Sequence, residues 1–264
     1  MFHEISLHDR RRLIIRESLT GSRWWIVFLS GSAAEWTDFN ESERSVLTRR
    51  FDLPPNILVI GKPGVLPSGR VIDSVFEPSF RRDTRVRDYL EVMRAWIPPG
   101  DRILLMGFSE GAYLSPEIAL RDDRVRALAL ISGGTRSWID EEIFKMGSRQ
   151  EGKVLKRIAR VYARPESRAL TWFGNSHATW MSYDNDRTKE ALEKVKVPIL
   201  AIHGDKDRMI DLDSVRADLR AVRRAGREVE MHMLKNVDHT LQDSWGEALR
   251  LTGRFFTRQM VPKA

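Results

Sequence analysis

Two periodicities of apolar and polar positions alternate along the chain. Short, mostly apolar runs recur at Trp24–Ser30, Asn56–Gly61, Arg102–Met106, Val125–Ser132 and Pro198–His203. Runs of this length, bounded by Gly, Ser or Pro, read as strands buried on both faces. Longer stretches between them carry helical spacing. In Asp83–Ile97, the residues Val86, Tyr89, Leu90, Met93 and Ile97 fall on one face, and Pro98-Pro99-Gly100 stops the helix. Glu41–Phe51, Ser109–Leu120, Asp211–Ala225 and Ser244–Arg258 read as further helices, the third closed by Gly226. His3–Leu7 and Leu13–Glu17, joined by a polar turn around Asp9, read as two opening strands, and Arg227–Leu234 alternates as a half-buried one. Strands separated by helices predict an α/β protein. Its mostly parallel, twisted sheet has about eight strands and helices on both faces.

One stretch breaks the rhythm. Thr135–Val197 separates two core strands and is longer than a crossover helix requires. It contains Trp138, Trp172, Phe173, Trp180 and Tyr183. The expectation is a mostly helical cap or lid inserted after the sixth strand and lying over one end of the sheet. The domains are then a core of residues 1–134 and 198–264 and a cap of residues 135–197. A long, partly ordered loop is the alternative. No internal repeat or low-complexity linker is present.

Composition narrows the classes. Of 264 residues, 42% are hydrophobic, enough for a sizeable core, so a disordered chain is excluded. The length suits one α/β domain with an insertion. There are 0 cysteines, which excludes a disulfide scaffold, a cysteine zinc site, an iron–sulfur cluster and a thiol nucleophile. The N-terminus lacks the basic-then-apolar order of a secretory signal, and no apolar run approaches the ~20 residues that span a bilayer. A soluble, cytoplasmic protein is the expectation. The net charge of +7 raises the question of nucleic acid. Basic clusters at Arg10–Arg12, Arg49–Arg50, Arg81–Arg82 and Arg223–Arg224 are scattered and interleaved with acids. No reading motif accompanies them, so a solvated basic surface without a nucleic-acid partner is expected.

The chemistry centres on Gly107-Phe108-Ser109-Glu110-Gly111, just after the strand Arg102–Met106 and just before a helix. G-x-S-x-G in that setting makes a sharp strand-to-helix turn that lifts a serine Oγ off the sheet. The flanking glycines remove Cβ atoms that would collide with the turn, and the helix N-terminus favours developing negative charge. An ordinary strand–helix turn is the alternative.

With this motif the chain resembles the α/β-hydrolase fold family over nearly its whole length. The resemblance implies a catalytic triad in the order nucleophile, acid, histidine. The acid is carried by G-x-x-D after a late strand, here Gly204-Asp205-Lys206-Asp207, which selects Asp207 with Asp205 as runner-up. Asp211 and Asp213 are expected to start the next helix. The histidine follows the last strand, which selects His239 over His3, His8, His177, His203 and His232. One oxyanion donor is the backbone N–H of Glu110. The second comes from the loop after the third strand, where relatives often have His-Gly and this chain has Ser30-Gly31. The expected donor is Ser32, with Ala33 next.

The implied function is a serine hydrolase acting on a small-molecule ester, thioester, amide or short peptide, with no metal or organic cofactor. A carboxylic ester is the first expectation. A peptidase similar to prolyl aminopeptidases, or an acyltransferase, are alternatives within the fold, and a non-catalytic binding protein is the alternative of another class. Trp172, Phe173 and Trp180 either line a substrate pocket or form the insertion's own core. Lys62, Arg70, Arg81 and Arg82 are expected to be solvated surface. A role in attracting a substrate carboxylate is the other reading.

Overall fold

The computed structural model describes residues 1–146, 151–184 and 188–260. In chain order the elements open with strands β1 (Phe2–Ser6), β2 (Arg12–Ser18) and β3 (Trp24–Leu29) and helix α1 (Glu41–Thr48). They continue with β4 (Asn56–Ile60), α2 (Asp73–Ser79), α3 (Arg82–Trp96), β5 (Arg102–Phe108), α4 (Glu110–Arg121) and β6 (Val125–Ile131). The inserted stretch then forms α5 (Trp138–Met146), α6 (Glu151–Ala163), the short strands β7 (Thr171–Trp172) and β8 (Asn175–Ser176), α7 (His177–Asp184) and α8 (Thr188–Lys194). The chain returns to the sheet through β9 (Ile199–Gly204), α9 (Leu212–Arg224), β10 (Val229–Leu234) and α10 (Trp245–Met260). The positions 147–150 and 185–187 of the insertion lie outside the described residues.

Eight strands form one sheet in the order β1-β2-β4-β3-β5-β6-β9-β10. Strand β2 runs antiparallel to both of its neighbours, and every pairing from β4 to β10 is parallel. Both faces are covered, as the mostly apolar runs require. On β5, Ile103 and Leu105 face one core and Leu104 and Met106 the other. The first core is closed by α3, α4, α8 and α9, through residues such as Val86, Leu114, Leu192 and Leu219. The second is closed by α1 and α10, through Leu47, Leu249, Phe255 and Phe256. The helix starts are locally encoded. Asn40 and Glu43 cap each other reciprocally at α1, and the Asp211 carboxylate accepts from Asp213 N and Ser214 N at α9.

The inserted stretch is mostly helical, with one added hairpin. Phe173 (φ 48°) and Gly174 (φ 78°) form the two-residue turn between β7 and β8, the positive-φ pair that suits a tight hairpin. Ile139, Val154, Ile158, Val161, Trp172 and Trp180 form a separate small cluster, whereas Tyr183 and Leu192 join the main core. Among the described residues no helix is long and apolar enough to cross a membrane.

Two basic residues expected at the surface are buried instead. Arg82 at the start of α3 is paired with Glu117 of α4, and Lys62 lies inside, beyond the end of β4. Arg70 is exposed and Arg81 half-buried. Burial becomes tolerable where a partner or acceptor remote in sequence is brought alongside.

Candidate active site

The site forms where β3, β5, β6 and β9 end. Their register pairs Leu29 with Gly107, Gly107 with Leu130, and Ile131 with Ile202, so the four strand ends share one edge. Ser109 sits just past β5 with φ 51° and ψ −113°, a strained conformation for a residue with a side chain. Its N–H donates to Ile131 O at 2.8 Å, and its carbonyl accepts from Ala112 N at 3.0 Å. The turn is so tight that a Cβ on Gly107 would stand 2.4 Å from the Gly111 carbonyl. A Cβ on Gly111 would stand 2.1 Å from Leu29 O. The spacing G-x-S-x-G is therefore a consequence of β5 and α4 packing against β3 with no room for side chains. Gly111→Ala must displace backbone, and we expect a stability loss at the upper end of the ~1–3 kcal/mol typical of overpacking, read by denaturant unfolding.

Three side chains predicted from the sequence meet here. Ser109 Oγ lies 3.0 Å from His239 Nε2, and His239 Nδ1 lies 2.8 Å from Asp207 Oδ2. A carboxylate only accepts, so Asp207 holds the proton on Nδ1 and leaves Nε2 free to accept from the hydroxyl. The second carboxylate oxygen of Asp207 accepts from Met209 N at 2.8 Å and Ile210 N at 3.2 Å, which fixes the group's orientation. The Asp207 side chain is fully buried, whereas Ser109 and His239 remain partly open.

The histidine loop is pinned from both adjoining strands. Ser132 Oγ, just past β6, donates to His239 O at 2.9 Å. Past β9, Lys206 N donates to Val237 O at 2.9 Å, and the Asp205 carboxylate accepts from Asn236 N at 2.6 Å. Asp205, the runner-up acid, is exposed and serves this turn. His203 is wholly buried at the end of β9, where desolvation lowers its pKa to about 4, so it is held neutral.

The backbone of Glu110 opens α4, where the first N–H groups of a helix have no intrahelical acceptor. Its side chain points into the protein. There it accepts from Tyr183 Oη and faces Arg85 Nε at 3.5 Å. Ser32 and Glu110 border the same cavity as Ser109 and His239, a space of about 440 Å³. Phe173 and Trp180 form part of its wall, but Trp172 does not. Trp172 is turned into the small cluster of the insertion, with its carbonyl accepting from Trp180 Nε1 at 2.7 Å. That corrects the expectation for Trp172. Its neighbour Phe173, the first residue of the hairpin turn, stacks on the Trp172 ring and lines the cavity.

Further residues complete the wall. Trp138 lines the cavity and stacks on Tyr183 with ring centroids 3.8 Å apart. Met209 and Ile210 stand two and three residues after Asp207, which was the signal available for them. Glu141, Glu142 and Lys145 of α5 complete one side, the last two as an ion pair. Burial raises the Glu141 carboxyl to about 7, although it accepts from Asp211 N at 2.8 Å. Among the described residues no group of three or more His, Asp or Glu side chains is arranged to hold a metal ion.

Comparisons with known proteins agree with this architecture. The model of the dienelactone hydrolase family matches residues 156–247, about a third of the chain. None of the curated proteins matches the chain. Among solved structures, Est1E from Butyrivibrio proteoclasticus superposes with a TM-score of 0.67 at 14% identity, covering 98% of each chain. An esterase of Pyrococcus furiosus gives a TM-score of 0.67 at 16% identity, covering 99% of this chain and 91% of the other. The acylaminoacyl peptidase of Pyrococcus horikoshii gives 0.69 at 17% identity over 98% of this chain. The chain spans only 41% of that peptidase's length. These likenesses show that the chain has the α/β-hydrolase fold.

Proposed function

We propose that the protein is a serine hydrolase that cleaves a carboxylic ester through a covalent acyl-enzyme. The observation that carries this reading is the unbroken line of hydrogen bonds from Ser109 Oγ through His239 to Asp207, set on a strained turn that opens into a cavity. A serine hydroxyl is a poor nucleophile near neutral pH and needs a base at the moment of attack. His239 Nε2 takes the proton as Ser109 Oγ bonds to the acyl carbon. The same nitrogen then gives the proton to the leaving alkoxide. Water then attacks the acyl carbon as Nε2 takes its proton, and Nε2 returns that proton to Ser109 Oγ as the acyl–Oγ bond breaks and the acid leaves. Asp207 keeps the ring in the useful tautomer and stabilises it while it is charged. Charge on the tetrahedral intermediate collects on one oxygen, which the backbone N–H groups of Glu110 and Ser32 are assigned to receive. The N-terminus of α4 adds a favourable dipole.

The insertion is proposed as a cap, residues 135–197, that shapes the acyl pocket. Trp138, Phe173 and Trp180 supply apolar wall and exclude water from the acyl-enzyme. A p-nitrophenyl ester series of increasing acyl length tests both parts of the proposal. Phe173 is 60% exposed at the cavity rim. Phe173→Ala is therefore expected to shift chain-length preference by about 1–3 kcal/mol of discrimination while leaving the melting temperature nearly unchanged. Trp172→Ala is expected to do the reverse, lowering the melting temperature with the preference kept. Absence of hydrolysis across the whole series would count against the esterase reading.

A further inference from the structure

Lys62 lies just beyond β4, with 1% of its surface exposed. A buried ammonium is costly unless something in the structure uses it. Burial lowers this one to about 7. The neighbouring Arg85 guanidinium pushes the same way, and the carboxylates of Glu110 and Glu35 oppose it. Lys62 Nζ donates to the carbonyl oxygen of Ala33. Ala33 belongs to the stretch between β3 and α1, on the far side of the β3–β4 pairing from which Lys62 reaches.

That stretch passes directly over the nucleophile. A Cβ on Gly31 would stand 3.2 Å from the Ser109 Cβ, and Ser32 borders the cavity beside Ser109. Its far end is anchored by Trp36, which packs against both cores, whereas the part over Ser109 has little to hold it. Among the described residues, the bond from Lys62 is the one hydrogen bond given to the chain from Gly31 to Thr37. The opposite donor needs no such help. Glu110 is built into α4, and its side chain is gripped by Tyr183 and Arg85, the latter flanked by the rings of Phe76 and Phe80.

We propose that Lys62 is a positioning residue for the oxyanion hole, fixing the Ser30–Ala33 backbone through the Ala33 carbonyl so that the Ser32 N–H faces the oxyanion formed at Ser109. The inference rests on the serine-hydrolase reading above. An oxyanion donor works only within about 2.7–3.1 Å of the place where charge develops, so a turn free to drift by an ångström forfeits most of the stabilisation. A lysine serves because its stem spans from one strand end to the next loop and carries several N–H donors.

Lys62→Met keeps the stem and removes the donor. It also leaves Arg85 and Glu110 as a balanced pair, so the fold is expected to survive. The expected result is a fall in kcat of roughly 10-fold to 10²-fold with KM nearly unchanged. That is short of the ~10²–10³-fold cost of removing an oxyanion donor outright. Amide hydrogen exchange across residues 30–37 should quicken in the same variant. Lys62→Gln keeps an N–H donor on a stem one atom shorter and should lie between the two. It decides the matter in both measurements if Lys62→Met does not fold. Wild-type kcat in Lys62→Met, unchanged loop exchange, or a lower melting temperature with kcat retained would each overturn the positioning role alone. A wild-type protein that hydrolyses no ester would overturn the hydrolase reading and this inference with it.

Discussion

Ser109→Ala is expected to lower kcat on an activated ester by on the order of 10⁶-fold, and His239→Ala by a similar amount. The double variant should be little worse than either single one. The reason is that the hydroxyl and the imidazole act as one unit. Without the base, the Ser109 hydroxyl keeps its proton at attack. Without the hydroxyl, the base has no nucleophile to activate at the 3.0 Å contact. Residual rate above water should remain, because the backbone N–H groups of Glu110 and Ser32, proposed as oxyanion donors, and the cavity wall are untouched. Both substitutions remove partly open side chains, so the melting temperature should change little. Additive losses in the double variant would mean that the two side chains act in separate steps.

Asp207→Asn is expected to fold and to lose on the order of 10⁴-fold in kcat. An amide can offer its nitrogen to His239 Nδ1, which then becomes the acceptor and places the proton on Nε2, facing Ser109. The base is blocked although the geometry is intact. The Asn oxygen can still accept from Met209 N and Ile210 N, which hold the native carboxylate at 2.8 and 3.2 Å, so the loop should keep its shape. Asp205→Asn is the control. Asp205 binds Asn236 N and not the imidazole, so its loss should loosen the histidine loop slightly without the tautomer effect. Near-normal turnover in Asp207→Asn with loss in Asp205→Asn would transfer the acid's role to Asp205.

Much of this arrangement is legible in the chain because it depends on local necessity. Mostly apolar runs had to be doubly covered strands, and Gly107 and Gly111 mark backbone contacts that no other residue permits. Ser109 is marked by its turn, and Asp207 and His239 could be sought because the resemblance to the α/β-hydrolase fold family implies the order of the triad and a place for each after a strand. What was not legible depends on contacts remote in sequence. Helix α2 carries Pro78 and starts at Ile72 without a side-chain cap, so it gave no start signal. The β7–β8 hairpin turns at Phe173-Gly174 rather than at the Asn-Gly or Asp-Gly pairs that advertise such turns. Phe173 in that turn meets the cavity, and Trp172 in β7 does not. Lys62 and Arg82 read as surface charge because their partners, Ala33 O and Glu117, come from other elements. The shape of the cavity, set by α5 and the loop after β9, lay outside the sequence reading for the same reason.

The central claim is that Ser109 is an activated nucleophile beside a base and an oxyanion site. A fluorophosphonate reagent tests it directly, because it phosphonylates only a serine activated in this way. Incubation of the protein followed by peptide mapping should show one adduct, on Ser109, formed quickly in the wild type and at a background rate in His239→Ala. No adduct, an adduct on another residue, or equal labelling with and without His239 would contradict the account.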